Sequence, residues 1–165
     1  MPVEFQVGDK VVYPMHGAGI VESIEEKEIL GKKQEYYVLN FPLGGVKVMV
    51  PTQNVEQIGL RQVISKDEVD KVIDILSGDQ TKMPANWSKR YRLNMNKIKT
   101  GNIYEVAAVV RNLMLRDKDR GLSNAERKML NSARQILISE LALSKDAAQE
   151  EIKAMVDRIS ERNNA

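Results

Sequence analysis

The chain has 165 residues, of which 42% are hydrophobic and 29% are charged, a composition typical of soluble globular proteins. It contains no cysteine and one histidine, which excludes disulfides, thiol catalysis and cysteine metal sites and disfavours a histidine metal site. No stretch approaches the roughly 20 apolar residues of a membrane span, and the N-terminus lacks the features of a secretory signal, so we expect a cytoplasmic protein without membrane contact.

Charge is divided unevenly along the chain, although the net charge is only +2. Residues 1–60 contain five Lys or Arg and eight Asp or Glu, whereas residues 61–165 contain twenty and fifteen. This asymmetry predicts two surfaces with different partners.

Residues 1–60 show the pattern of short β-strands separated by turns. Runs rich in β-branched and aromatic residues predict strands over residues 10–13, 18–29, 35–41 and 46–50. Leu30-Gly31-Lys32-Lys33 predicts a hairpin turn between two of them. Four or five short strands in about sixty residues predict a small, strongly bent β-barrel.

The predicted strand over residues 46–50 has two different faces. Alternation places Val46, Val48 and Val50 on one face, and it places Lys47 and Met49 on the other. If this strand is exposed, it can pair with a strand of a partner protein.

After about residue 60 the hydrophobic period changes from 2 to 3.6, which predicts helices. Five apolar patterns follow residues whose side chains can cap a helix: Ser65, Asn86, Asn102, Ser123 and Ser144. Five helices with short loops predict a compact bundle. We therefore expect an α+β fold with two domains, a β-barrel domain over residues 1–62 and an all-α domain of about five helices over residues 63–165.

The stretch over residues 84–99 contains the only tryptophan, Trp87. No acidic residue occurs between Asp79 and Glu105, whereas six basic residues do: Lys82, Lys89, Arg90, Arg92, Lys97 and Lys99. Asn86 predicts a helix whose first turn contains Trp87, and a helix N-terminus attracts phosphate. Basic groups around one flat ring are typical of nucleic-acid binding, because the charges hold the backbone and the ring can wedge at a base step.

A structural role is the alternative for this stretch. Trp87, Tyr91, Met95 and Ile98 recur at helical spacing, so Trp87 could end a core stripe while the basic residues form a solvated face. The mixed charges of residues 111–121 predict a solvated helix end. The carboxylates cluster at predicted helix starts, where capping explains them, so nothing in the pattern favours an enzyme.

Three motifs resemble one family, the bacterial CarD/CdnL transcription factors. The first is Val7-Gly8-Asp9-Lys10-Val11-Val12-Tyr13-Pro14 with His16-Gly17, and the second is Asn86-Trp87-Ser88-Lys89-Arg90-Tyr91. The third is Arg120-Gly121-Leu122-Ser123, followed by Ala133-Arg134-Gln135-Ile136-Leu137. The resemblance covers essentially the whole chain, and its most specific part is the motif around the tryptophan.

This resemblance implies a Tudor-like N-terminal barrel, shared with transcription-repair coupling factor, that docks on the β subunit of RNA polymerase. It also implies that the helical domain contacts promoter DNA at the upstream edge of the melted bubble. There the tryptophan wedges into the minor groove and stabilises the open complex of the holoenzyme that contains the housekeeping sigma factor. The expected protein is a monomeric, non-enzymatic transcription regulator without a cofactor or metal ion.

The resemblance also assigns individual residues. The implied DNA-binding residues are Trp87 as the wedge and four basic residues: Lys89, Arg90, Arg92 and Lys97. The implied polymerase-binding residues are Lys27, Lys47, Val48 and Met49. Other members of the family have an arginine in place of Met49, and Lys47 on the same face can supply a charge instead. The alternative is a protein-only adaptor on RNA polymerase, in which Trp87 is buried and no DNA is contacted.

Overall fold

The structure is a computed structural model that describes residues 4–42 and 44–162, so the outermost residues of both expected domains lie outside it. The strands come first: β1 (Lys10–Tyr13), β2 (Gly17–Ile29), β3 (Lys32–Phe41), β4 (Val46–Pro51) and β5 (Arg61–Gln62). A 3-10 turn (Thr52–Asn54) and the short helix α1 (Val55–Ile58) separate β4 from β5. Five longer helices follow: α2 (Lys66–Leu76), α3 (Trp87–Lys99), α4 (Ile103–Asp119), α5 (Asn124–Lys145) and α6 (Gln149–Arg162).

The five strands form one antiparallel sheet in the order β4-β3-β2-β1-β5. No strand pair joins β4 to β5 within the described residues, so strand pairing does not close the predicted barrel. Strands β2 and β3 stay paired as far as Ile29 and Lys32, well beyond the residues that pair with β1 and β4. The distal part of this hairpin, residues 26–35, is therefore a two-stranded ribbon.

The sheet has an inner and an outer face. Tyr37 and Leu39 of β3 lie on the inner face and are buried in a core that includes residues of β1, β2, β4 and α1. Val12 and Ala18 lie on the outer face, where they are also buried. Helix α5 packs on this part of the outer face, and the backbone N–H of Ala18 donates to Ser139 Oγ at 3.0 Å.

The described residues contain six α-helices, whereas the sequence predicts about five. The additional helix, α1, is a single turn that ends at Gly59, whose φ of 85° lies in the left-handed region that glycine favours. Four residues are too few to show a helical period, so the sequence pattern does not predict α1. The two-residue strand β5 is missed for the same reason.

Helices α2 to α6 form a bundle around α4 and α5, whose inward faces are almost fully buried. Ser65 and Ser123 cap α2 and α5 in reciprocal capping boxes, as the sequence predicts. Ser144 does not cap α6, because α5 continues to Lys145 and Ser144 Oγ donates to the Ile64 carbonyl at 2.7 Å. None of the helices described in the structure combines the length and apolar character needed to cross a membrane.

A buried ionic contact joins the sheet to the bundle. The Glu140 carboxylate on α5 is 1% exposed and accepts two hydrogen bonds from the Arg61 guanidinium on β5, both at 2.7 Å. It also accepts the backbone N–H of Ile64 at 2.9 Å. An ion pair between Lys10 on β1 and Asp146 lies nearby. We call this contact region the junction, and it holds the sheet against α5.

Candidate nucleic-acid interface

Helix α3 begins at Trp87 because the preceding asparagine caps it. Asn86 Oδ1 accepts hydrogen bonds from the backbone N–H groups of Ser88 at 3.0 Å and Lys89 at 3.1 Å. These two donors are therefore already bonded and are not free for a phosphate. The ring of Trp87 stands in the first turn of a helix with a well-defined start.

The Trp87 side chain is 55% exposed, so it does not belong to the core. Ile98 on the same side of α3 is buried, Met95 and Tyr91 are half-buried, and Trp87 is exposed. The predicted stripe therefore exists, but burial decreases along it toward the N-terminus of the helix. Trp87 stands at the exposed end of this stripe, outside the core. The interpretation of Trp87 as a buried residue is therefore wrong.

Lys89 and Arg92 are exposed, whereas Lys97 is half-buried. Successive residues of an α-helix are rotated by about 100°, so Lys89 and Arg92 lie about 200° and 140° from Trp87 around the axis. The charged side chains and the ring therefore emerge on opposite sides of α3. The distance along the axis from Trp87 to Arg92 is only about 8 Å at 1.5 Å per residue. A ligand at the helix start can reach both groups.

Arg90 is only 3% exposed, which corrects its assignment to the exposed basic surface. Its guanidinium donates from Nε and Nη2 to the two Glu126 carboxylate oxygens at 2.6 and 2.9 Å. Its Nη1 donates to the carbonyls of Pro84 at 3.2 Å and Ala85 at 3.1 Å. Arg90 thus links α3, the loop before it and the start of α5.

Glu126 is 1% exposed, and its carboxylate is bound both by Arg90 and by Ser123, the N-cap residue of α5. Ser123 Oγ donates to Glu126 Oε1 at 3.0 Å, and the Glu126 N–H donates back to Ser123 Oγ at 3.2 Å. The hydrogen bond from Arg90 lowers the pKa of the Glu126 carboxyl below its ordinary value, and the bonds from Ser123 add to this effect. The same bond raises the pKa of Arg90, so both groups remain charged.

The α2–α3 loop, residues 77–86, is held by a second polar cluster on α4. Asn112 is 1% exposed; its Oδ1 accepts the Thr81 N–H at 3.1 Å, and its Nδ2 donates to Thr81 Oγ1 at 2.8 Å. Arg111 donates to the Ile75 carbonyl at 3.1 Å. Arg111 and Asn112 are therefore buried, and the prediction that residues 111–121 form only a solvated helix end is wrong for them.

Three of the four predicted polymerase-binding residues lie on the outer face of the sheet. Lys27, Lys47 and Met49 pair with Gln34, Asn40 and Val38 of β3, which alternate with the core residues of that strand. Val48 pairs with Leu39 instead, so its side chain lies on the inner face and packs half-buried against the core.

These residues are separated along the sheet. Gln34 and Asn40 of β3, the partners of Lys27 and Lys47, are six residues apart, which corresponds to about 20 Å at 3.4 Å per residue. Lys47 forms an ion pair with Glu22 at 3.0 Å, and Met49 is 38% exposed. Strand β4 is an edge strand of the sheet, so one side of its backbone has no partner strand among the residues that the structure describes.

Comparison with known proteins identifies both parts of the chain. Residues 5–64 match the CarD-like/TRCF RID domain, and residues 71–157 match the CarD C-terminal domain. The chain is 43% identical over 150 residues to "Putative transcription factor YdeB" of Bacillus subtilis (strain 168), which covers 91% of this chain and 98% of that protein. The chain belongs to the CarD family. This confirms the family predicted from the three motifs. Membership of the CarD family identifies the chain as a transcription-associated regulator.

Two solved structures are similar to part of this CarD-family chain. The 72-residue N-terminal domain of Myxococcus xanthus CarD, determined by solution NMR, is 37% identical and covers 38% of this chain and 89% of its own, with a TM-score of 0.32. CdnLNt from the same organism is 40% identical and covers 40% of this chain and 93% of its own, with a TM-score of 0.33.

The CarD-family chain thus presents two candidate surfaces and a buried support that the motifs do not reveal. Trp87, Lys89 and Arg92 are exposed near the start of α3, whereas Arg90 of the same motif is internal. The supporting residues Glu126 and Asn112 are polar residues inside apolar helical patterns. That position is the one signal in the sequence that could have marked them as buried and hydrogen-bonded. Within the described ranges, no cluster of three or more His, Asp or Glu could hold a metal ion.

Proposed function

We propose that this CarD-family chain binds the β subunit of RNA polymerase through its sheet and promoter DNA through the start of α3. It acts without a cofactor, as a regulator rather than an enzyme, and it stabilises the open complex of the sigma-containing holoenzyme. The observation that carries this proposal is the 55% exposed indole of Trp87 at the capped start of a helix whose exposed charges are basic.

An exposed tryptophan is unusual because burying a large aromatic ring is favourable. A ring held at the end of a rigid helix can cover the last base pair at the upstream edge of a melted bubble. There one stacking partner is already lost, so inserting the ring costs less unstacking energy than it would inside a duplex. Stacking of a base on an aromatic side chain is worth about 1–3 kcal/mol in single-strand binding, which is an upper guide for a partial wedge.

Lys89 and Arg92, with Lys97 behind them, supply the contacts to the DNA backbone in this proposal. Contacts of this kind are independent of sequence and weaken as salt increases. Three such residues give only a weak DNA-binding module. The module becomes effective because a polymerase-bound sheet holds it near the bubble at a high effective concentration.

The outer face of the sheet and the β4 edge form the polymerase surface in this proposal. Met49 contributes exposed apolar area, Lys47 a charge, and the unpaired edge of β4 main-chain hydrogen bonds to a strand of the partner. Val48 contributes through its backbone, since its side chain faces the core. Lys27, about 20 Å away on the ribbon, extends the contact to a second point.

The lifetime of the open complex tests the role of Trp87. Trp87→Ala is expected to shorten it by about 5- to 150-fold, which corresponds to a loss of about 1–3 kcal/mol on the collapse step. Val7→Ala is the matched control, because Val7 is also an exposed apolar residue but lies outside both α3 and β4. It is expected to leave the lifetime unchanged.

Thermal unfolding of the same variants completes the experiment. Because the ring is exposed, Trp87→Ala is expected to unfold near the wild-type temperature, whereas loss of a core tryptophan costs about 3–5 kcal/mol. If Trp87→Ala forms open complexes of wild-type lifetime, the ring does not act as a wedge and the DNA-binding part of the proposal fails.

A further inference from the structure

Arg90 is the most basic group of the tryptophan motif and also its most buried one. A phosphate oxygen would have to come within hydrogen-bond distance of a guanidinium that is 3% exposed and that already makes four hydrogen bonds. Two of those bonds go to Glu126, whose carboxylate would be left buried without its counter-charge if Arg90 turned outward. Arg90 is therefore not placed to exchange its present partners for DNA.

The partners of Arg90 are arranged around the segment that leads to Trp87. Its Nη1 holds the carbonyls of Pro84 and Ala85, directly before the cap of α3. Earlier in the same loop, Thr81 is held by Asn112. The α2–α3 loop is thus held in its middle and near its end by buried side chains of the bundle.

We propose that Arg90, fixed by Glu126, is a positioning residue that sets the direction of the Trp87 ring and does not itself contact DNA. This inference rests on the proposed function, since it explains how the wedge is held. A ring that must enter a base step gains from being held in one orientation before binding, because little ordering is then left for the binding step. Displacement of a functional group by about 1 Å is enough to impair a site of this kind.

Arg90→Lys separates the two possible roles, because lysine keeps the positive charge but cannot form the planar fork that holds Glu126 and the loop together. A phosphate contact tolerates this change better than a positioning role does. Arg127→Lys is the matched control, since the Arg127 guanidinium also donates to both oxygens of a carboxylate, that of Asp117, but at the surface. We expect Arg90→Lys to shorten the lifetime of the open complex on the order of 5-fold or more, and Arg127→Lys to change it less than about 2-fold.

Combining each change with Trp87→Ala tests whether Arg90 acts through the ring. In the Trp87→Ala background, Arg90→Lys is expected to change the lifetime less than about 2-fold, since no ring remains to be positioned. Equal effects of Arg90→Lys with and without Trp87 would overturn the inference. So would a lifetime that Arg90→Lys leaves unchanged.

A measurement on the free protein is independent of transcription. Trp87 is the only tryptophan in the chain, so its fluorescence anisotropy decay reports the local motion of this ring alone. Arg90→Lys is expected to add a fast component that wild type and Arg127→Lys lack, at a temperature at which circular dichroism shows all three folded. An unchanged decay would overturn the inference.

Glu126→Asp provides a second route if Arg90→Lys does not fold. It keeps a negative charge beside Arg90 but draws the carboxylate back by one methylene group, so the two bonds from Arg90 are weakened and the same fast component is expected. The two proposals can also fail separately. If Trp87→Ala leaves the open complex unchanged, the wedge function fails, while the anisotropy decay still decides whether Arg90 positions the ring.

Discussion

Glu126 combines two roles at one buried carboxylate. It closes the capping box of α5, and it carries the counter-charge of Arg90. An ion pair at this depth is not necessarily a source of net stability, because both groups have lost their water. Removing one partner is nevertheless costly, since the other charge then remains buried alone.

Glu126→Gln is expected to destabilise the protein by about 3–5 kcal/mol at neutral pH. The hydrogen bond from Arg90 lowers the pKa of Glu126, so the charged pair contributes its stability above the ordinary glutamate pKa of about 4.3. This contribution is lost as the pH falls through the lowered pKa of the folded state. The difference between wild type and variant in urea unfolding should therefore be large at pH 6–7 and shrink below about pH 4.

Glu68→Gln serves as the control for this prediction. Glu68 closes the same type of capping box at the start of α2. Its other carboxylate oxygen accepts a hydrogen bond from the Tyr104 hydroxyl, where Glu126 has an arginine. The cost of Glu68→Gln should be clearly smaller. Equal costs at both positions would show that the cap, and not the ion pair with Arg90, accounts for the effect of Glu126.

Among the elements, strands with a run of β-branched residues and helices that begin with a capping residue could be predicted from the sequence. The predicted strand β1 matches the observed Lys10–Tyr13, and Asn86 and Asn102 cap α3 and α4 as expected. The same signal fails at Ser144, because a serine inside a helix looks like a cap when its true partner, the Ile64 carbonyl, is 80 residues away. Local pattern contains no information about such partners.

The N-caps of α3 and α4 form a natural pair for an experiment. Asn86 and Asn102 each accept hydrogen bonds from the N–H groups two and three residues later. Replacement of either by alanine is expected to cost about 1 kcal/mol of stability. Only Asn86→Ala should also shorten the lifetime of the open complex, because only α3 carries the wedge.

Thermal unfolding and open-complex decay measured on both variants check this prediction. A shorter lifetime with Asn102→Ala would mean that general loss of stability, and not the start of α3, determines the effect. The result therefore also bears on the proposed position of the DNA surface.

At the scale of the whole molecule, the junction makes the sheet and the bundle one body. Arg61 and Glu140 are 79 residues apart and lie in different types of secondary structure. The sequence predicts two domains with different partners but not their contact, since neither residue stands out from its surroundings. Similarly, the motif identifies Arg90 as basic, but its burial depends on Glu126, which is 36 residues away.

If the sheet binds the protein to polymerase and α3 acts on DNA, variants at the two surfaces should differ in how open-complex lifetime depends on the concentration of this protein. Met49→Asp is expected to shift the concentration needed for half-maximal stabilisation of the open complex upward and to leave the maximal lifetime unchanged. Trp87→Ala should lower the maximal lifetime at every concentration. Val7→Asp is the control, because Val7 is an exposed apolar residue of the same part of the chain that lies outside β4.

A titration of each variant against polymerase and promoter measures both quantities. If Met49→Asp lowers the maximal lifetime without changing the half-maximal concentration, β4 is not the recruiting surface. If Val7→Asp behaves in the same way as Met49→Asp, the effect follows from added negative charge and not from the loss of a specific contact.

The ribbon over residues 26–35 has a consequence for how the protein behaves at high concentration. Among the described residues, neither of its edges pairs with a third strand, which is the geometry that promotes aggregation between copies. Its exposed charged side chains are three carboxylates and three ammonium groups: Glu26, Lys27, Glu28, Lys32, Lys33 and Glu35. Pairing the edges of two ribbons would remove part of the water around these groups, which is unfavourable. The same hairpin that presents Lys27 therefore protects the protein against edge-to-edge aggregation through the hydration of its charges and not through a net charge.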